Sequence, residues 1–442
     1  MKIKIKTKNK IRSKSTKRFF AAALLGTLTL SLFGCQTSPA PLTIHSENLT
    51  DTVTAETVTG KEADAAFCQS TSDFSIRLFQ AALAETETSG ENLLLSPESV
   101  LSALAMTANG ADSSTRTEME QVLCGGMPID EFNPYMYSFQ NRLTSDEAVT
   151  FHQANSIWIR NQEDVIQMKE DFLRTDKNYY GADAYYAAFD DQTVQDINSW
   201  VQKNTNDMIP SLLQEPIPDD IVLYLINALA FEGDWETPYT EDQIAEDRIF
   251  TNYDGVAETV TMLNSDESVY LKDKHATGFL KYYKGANFAF LALLPEEGMT
   301  PEEYAATLTG DSYLSLYQNR ENREVLVQLP EFTYDYSTEL SKALSDMGMS
   351  EAFDASSADF SNMASTNTGY LSINRVLHKT HIEVDRTGTK AAAVTAIEMT
   401  NESCAIDTET PPSVILDRPF VYAIVDTESG MPIFLGIVNT IE

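Results

Sequence analysis

The chain has 442 residues, 66 of them acidic and 31 basic, for a formal net charge of −35 at pH 7. Such a surface repels phosphate and sulfate polyanions, which excludes nucleic acid and heparin-like chains as partners. A hydrophobic content of 43% is enough to fill one large core.

In chain order, the first 34 residues read as an address. Nine Lys or Arg fall between Lys2 and Arg18 with no acid among them, and the apolar run from Phe19 to Phe33 is short for a membrane span. The run ends Leu32-Phe33-Gly34-Cys35, which resembles a bacterial lipobox, a small residue before a Cys that takes diacylglycerol. Residues 1–34 are therefore expected to be a lipoprotein signal peptide. A lipidated Cys35 would hold the protein at the outer face of a membrane. Without the leader, 22 basic residues face 66 acidic ones, −44 in all, which serves solubility and would steer a basic partner. Cys68, Cys124 and Cys404 remain, an odd number at no metal-ligand spacing, so neither a disulfide framework nor a metal site is expected.

Residues 36–65 are rich in Thr, Ser, Glu and Pro and read as a flexible tether. Residues 66–442 form one domain, with no second linker and no internal repeat. Apolar periodicity predicts helices over 73–84, 97–107 after Ser96, 114–123 and 193–205. Strand-like runs follow at 221–231, 288–294, 324–329, 413–416, 420–425 and 433–438. Helices and mostly antiparallel strands in one long domain give an α+β class.

A series of blocks from Phe74 onward resembles the serpin family, in order along almost the whole domain. Asn92-Leu93-Leu94-Leu95-Ser96-Pro97-Glu98-Ser99-Val100 resembles the family's opening strand and helix, and Leu104 to Ala111 with Thr115 continues it. Asn155 with Ile157-Trp158 comes next, then Ile197-Asn198-Ser199-Trp200-Val201 with Thr205 and Ile209. The block Asn227 to Phe231 with Gly233 and Trp235 is the most specific. Phe290 to Pro295, Leu329-Pro330-Glu331-Phe332, Met347-Gly348-Met349, Asp417-Arg418-Pro419-Phe420 and Phe434-Leu435-Gly436 also match.

The resemblance implies three β-sheets, eight or nine helices and an exposed reactive-centre loop over about 387–416. It implies a suicide inhibitor of serine proteases, not an enzyme: a monomer with no cofactor and no catalytic residue of its own, covalently trapping its target. It also implies that Ser96, Ser99, Asn227 and His378 meet under the largest sheet, where two central strands part and reclose, with Trp235 at the top of that opening. His378-Lys379-Thr380-His381 has the wrong spacing for a zinc site, and Gly-x-Ser-x-Gly, Ser-x-x-Lys and His-Glu-x-x-His are absent.

The loop can also be read from its own residues. Alternate side chains of a strand face opposite sides. Thr389, Ala391, Ala393, Thr395, Ile397 and Met399 form an uncharged set, while Lys390, Glu398 and Glu402 all fall on the other. This is a latent strand with one buryable face. The Ala-rich half has helical propensity too, but a helix would not need the charges sorted in this way. Gly388, Thr389, Ala391, Ala392, Ala393, Val394 and Thr395 are the hinge, small because they enter the sheet first.

Two counts from the family place the cleaved bond. Fourteen residues after Gly388 stands Glu402, whereas eleven before Pro419 is position 408, so the loop carries six extra residues. Length is constrained on the hinge side, which favours Glu402-Ser403, with Asn401, Cys404 and Ala405 as alternatives. No Lys or Arg occurs from Ala391 to Asp417. The expected targets are therefore elastase-, subtilisin- or chymotrypsin-like, or glutamate-specific, and not trypsin-like. Arg386 stands where the family has Glu, which removes the acid of a usual ion pair at the strand's top. The rival readings are a non-inhibitory binding module of the same fold, against which the small hinge argues, and a surface hydrolase or solute-binding lipoprotein, for which no catalytic motif is present.

Overall fold

Asp64 starts the first helix: its carboxylate accepts the Phe67 amide at 3.0 Å. The helix is Ala65–Glu85, beginning at Ala65 and not at residue 73 as the apolar periodicity indicates. Its first turns are held from outside, by Phe67 stacked on Tyr135 at 5.0 Å between ring centroids. The computed structural model describes residues 42–85, 90–144, 148–161, 166–219, 221–367, 371–389 and 410–441.

The second helix, Pro97–Ala108, is buried along its whole length. Ser96 caps it, accepting the Ser99 amide at 3.3 Å, and Pro97 occupies the first position, where a missing N–H costs nothing. This helix touches Leu223–Asp234 in one sheet and Pro432–Val438 in the other. It is the axle between the two layers.

The first sheet has seven strands, in the order Glu47–Asn48, Asp183–Ala187, Val149–Arg160, Leu223–Asp234, Gly388–Thr389, Arg375–Val384 and Phe332–Glu339. Leu223–Asp234 is apolar on both faces, because both are covered. Leu223, Leu225, Leu229 and Phe231 join the main core, whereas Tyr224, Ile226 and Ala228 join a smaller one under Trp200 of the helix Asp191–Asn204. The second sheet has nine strands, eight of them running from Ser413–Ile415 through Glu321–Pro330 and Ala257–Lys272 to Leu93–Leu95, with Ile244–Thr251 on the edge of Ala257–Lys272. Ala364–Thr366 and Ile166–Met168 make a third, two-stranded sheet. Among the described residues there are eight separate α-helices and a ninth, Ser341–Leu344 through Ser350–Phe353, kinked at Gly348 with φ 118°. The expected α+β architecture of three sheets is the one observed.

Two sequence expectations need correction. Residues 42–64 are not a free tether. Glu47–Asn48 pairs with Tyr185 and Tyr186 as the outermost strand of the seven-stranded sheet. The buried Asp196 carboxylate accepts the amides of His45 at 3.0 Å and Ser46 at 2.7 Å, and Lys177 Nζ donates to the carbonyls of Thr50 and Val53. Composition predicts solvation here, but these partners lie far away in sequence. The loop is also shorter than 387–416: Gly388 and Thr389 are buried in one sheet, and Ser413–Ile415 lies in the other, parallel to Leu326 through Gln328.

Candidate functional site

Leu223–Asp234 and Arg375–Val384 run parallel and pair directly from Tyr224 opposite Arg375 to Ala228 opposite Lys379. Beneath this seam the structure brings Ser96, Ser99, Asn227 and His378 together. His378 Nε2 accepts the Ser96 amide at 3.0 Å, and the Ser96 hydroxyl donates to the Ile433 carbonyl at 2.9 Å. Asn227, the residue paired with His378, accepts from the Ser99 hydroxyl and donates to the Ser99 carbonyl at 2.9 Å. The accepting Nε2 places the ring proton on Nδ1, which has no partner among the described residues. Burial pulls the imidazole from 6.5 down to about 4, so it stays neutral at physiological pH. The neutral cluster fastens the helix Pro97–Ala108 to both strands of the seam.

The network extends further than sequence reasoning found. Asn227 Nδ2 donates to Asn155 at 2.6 Å, and Asn155 donates to the Ser102 hydroxyl at 2.7 Å. The signal was present: Asn155 belongs to a recognised block, and an Asn amid strand-forming residues that is 4% exposed needs partners.

At the top of the seam Trp235 lies flat on Tyr283, ring centroids 4.7 Å apart, and its indole N–H donates to the Asp385 carbonyl at 2.9 Å. Lys281, only 3% exposed, sits beside them. Its ammonium contacts Glu267 at 2.9 Å and lies 4.3 Å from the centre of the Tyr239 ring. Arg386 does find an acid: its Nε lies 3.1 Å from Glu331 on the neighbouring edge of the sheet. An ion pair is thus present here with Arg in the reversal that follows Arg375–Val384, and Glu331 holds the guanidinium pKa up.

Gly388 and Thr389 continue the seam upward. Thr389 pairs with Val384 on one side and Gly233 on the other, and Gly388 with Asp234. Thr389 is 1% exposed, and its hydroxyl lies 2.6 Å from that of Tyr283. Only glycine fits before it, since a β-carbon at 388 would stand 2.2 Å from the Gly233 carbonyl oxygen. Ala391, Ala392, Ala393, Val394 and Thr395 of the hinge, Asn401, Glu402, Ser403, Cys404 and Ala405 around the cleaved bond, Lys390 and Cys35 lie outside the described residues.

Comparison with known proteins agrees with this arrangement. A family model described as "Serpin (serine protease inhibitor)" matches residues 69–441. Glia-derived nexin of Homo sapiens is 30% identical over 369 residues, 79% of this chain and 87% of its own length. The crystal structure of tengpin, a thermophilic serpin, in its native state superposes with a TM-score of 0.83 at 40% identity, covering 90% of this chain and all of that one. Tengpin in its latent state gives 0.75, covering 87% of this chain and all of that one at 40% identity.

Proposed function

Because the chain belongs to the serpin family, we propose that it is an irreversible inhibitor of serine proteases that traps its target by inserting the reactive loop into the seven-stranded sheet. The observation that supports this most is the seam itself. Two parallel strands are fastened by a removable polar cluster, with the small residues Gly388 and Thr389 already between their upper ends.

The chemistry belongs to the protease. Its serine oxygen attacks the scissile carbonyl, the peptide C–N bond breaks, and the new amine leaves with the proton carried by the protease histidine. What remains is an ester joining the enzyme to the loop. The freed segment then slides between the strands, as the family's loop insertion is an established case of strand addition and of stored strain released by cleavage. Alternating burial puts Thr389, Ala391, Ala393 and Thr395 on the buried face and Lys390 on the solvent face. The tethered enzyme is dragged along and its oxyanion hole distorted. Losing one oxyanion donor lowers turnover by a factor on the order of 10²–10³, which leaves the ester intact.

The proposed scissile bond is Glu402-Ser403, with Asn401, Cys404 and Ala405 as its neighbours, and the proposed targets have elastase-, subtilisin- or chymotrypsin-like pockets. The net acidity favours a basic protease. Cys35 is the proposed lipid attachment, holding a monomeric inhibitor at the outer surface of a bacterial membrane. Incubation with pancreatic elastase, neutrophil elastase, subtilisin and trypsin, followed by a denaturing gel, tests the reading. An SDS-stable complex with an elastase or subtilisin and none with trypsin is the expected outcome. Cleavage without any complex would instead make the protein a non-inhibitory binding module.

A further inference from the structure

Between Val384 and Gly388 the chain reverses direction, and the reversal is held by one carboxylate. Asp385 Oδ1 accepts the Thr387 amide at 2.7 Å, the Thr387 hydroxyl at 2.6 Å and the Gly388 amide at 3.0 Å. Each carbonyl of the turn has a donor as well. The Asp385 carbonyl receives the Trp235 indole at 2.9 Å. The Arg386 carbonyl receives the Tyr239 amide at 3.0 Å, the Thr387 carbonyl the Trp235 amide at 2.9 Å, and the Gly388 carbonyl the Asp385 amide at 3.0 Å. A backbone turn with all its groups satisfied is an ordered one. Its product is the first rung of a new strand, Thr389 paired on both sides and locked by the Tyr283 hydroxyl.

We infer that Asp385 is a positioning residue for loop insertion: its carboxylate builds the chain reversal, and with it the first rung, before any protease arrives. The inference rests on the inhibitory reading above. Insertion competes with hydrolysis of the acyl-enzyme, so its slowest part matters most. Reversing a chain and ordering several residues before any ladder bond forms is the costly part of starting a strand. Here that part is complete in the uncleaved protein, and insertion is left with adding rungs. An Asn at this position retains an oxygen that accepts from the same three donors, whereas Ala retains none.

The test compares Asp385→Ala and Asp385→Asn with the wild type, using an elastase or subtilisin that the wild type traps. The rate of loop cleavage is expected to be equal in all three. The ratio of trapped to released protease should fall on the order of tenfold in Asp385→Ala and stay near wild type in Asp385→Asn. A general loss of structural integrity would not split cleavage from trapping, nor be rescued by Asn. In the uncleaved proteins, the amides of residues 387–389 should resist hydrogen exchange in the wild type and Asp385→Asn and exchange freely in Asp385→Ala. If Asp385→Ala does not accumulate as folded protein, Thr387→Val removes one donor and carries the same test, with an expected loss of about threefold. Wild-type trapping by Asp385→Ala, or unprotected amides in the wild type, would overturn the inference. If the wild type traps no protease, the inhibitory reading fails on its own. The exchange comparison then still decides whether Asp385 holds the turn.

Discussion

Acidification should loosen the seam through one side chain. His378 accepts the Ser96 amide on Nε2 and is 1% exposed, so a second ring proton would oppose an N–H donor inside the core. Burial lowers its pKa from 6.5 to about 4, which corresponds to about 3 kcal/mol of preference for the neutral ring. The sign follows from the direction of the shift. The folded state binds this proton less readily than the unfolded chain, so the contribution is whole above pH 6.5, declines as pH falls towards 4 and is lost below that. The assay is the first unfolding transition of the uncleaved protein in urea at pH 7, 5.5 and 4.5, for the wild type and His378→Ala. Ala leaves the Ser96 amide without its acceptor, a cost of about 1–3 kcal/mol that does not depend on pH. The wild type should therefore be the more stable at pH 7, and its advantage should shrink by about 2.5 kcal/mol on going to pH 4.5. A constant difference across that range would refute the assignment of the seam's acid sensitivity to His378.

Ala393→Arg places a charge on the face that insertion buries, at a cost of several kcal/mol. The variant should be cleaved as a substrate with little complex on a denaturing gel, and unchanged complex yield would count against insertion through that residue. Asp176 in the helix Glu170–Tyr180 is fully enclosed, its Oδ1 has no partner among the described residues, and burial holds its pKa well above the usual carboxylate range. Stability from this group is lost as pH rises through that elevated value, so Asp176→Asn should raise stability at pH 8 by about 1 kcal/mol, read by thermal melting; a lower melting temperature would contradict it. Asp196→Ala removes the acceptor shared by the amides of His45 and Ser46. Trypsin cleavage at Lys61 should then speed up about tenfold, and an unchanged rate would mean that the segment is held elsewhere.

What was legible in the sequence follows from how local each signal is. The strand 221–231 is visible because it is apolar on both faces, and the charge sorting after Gly388 because side chains alternate along a strand. The polar cluster was legible only through family blocks, since Ser96, Asn227 and His378 are far apart in the chain. The docking of residues 42–64 was not legible, because Asp183, Asp196 and Lys177 hold it from other elements while its own composition is that of a solvated linker. The helix Ile129–Thr144 escaped periodicity for a related reason, with Pro134 inside it breaking the expected pattern. The partner of Arg386 was not legible because the acid that meets it, Glu331, stands between the strands Glu321–Pro330 and Phe332–Glu339, 55 residues earlier in the chain.

Sheet expansion is tested most directly by melting the protein before and after its loop is cut. After limited cleavage within residues 390–409, the two-chain product should unfold at a temperature tens of degrees higher than the intact protein, as expected when a freed segment adds two ladders of hydrogen bonds to the central sheet. An unchanged or lower melting temperature would show that the cut segment stays outside the sheet, and the account of trapping by insertion would fall with it.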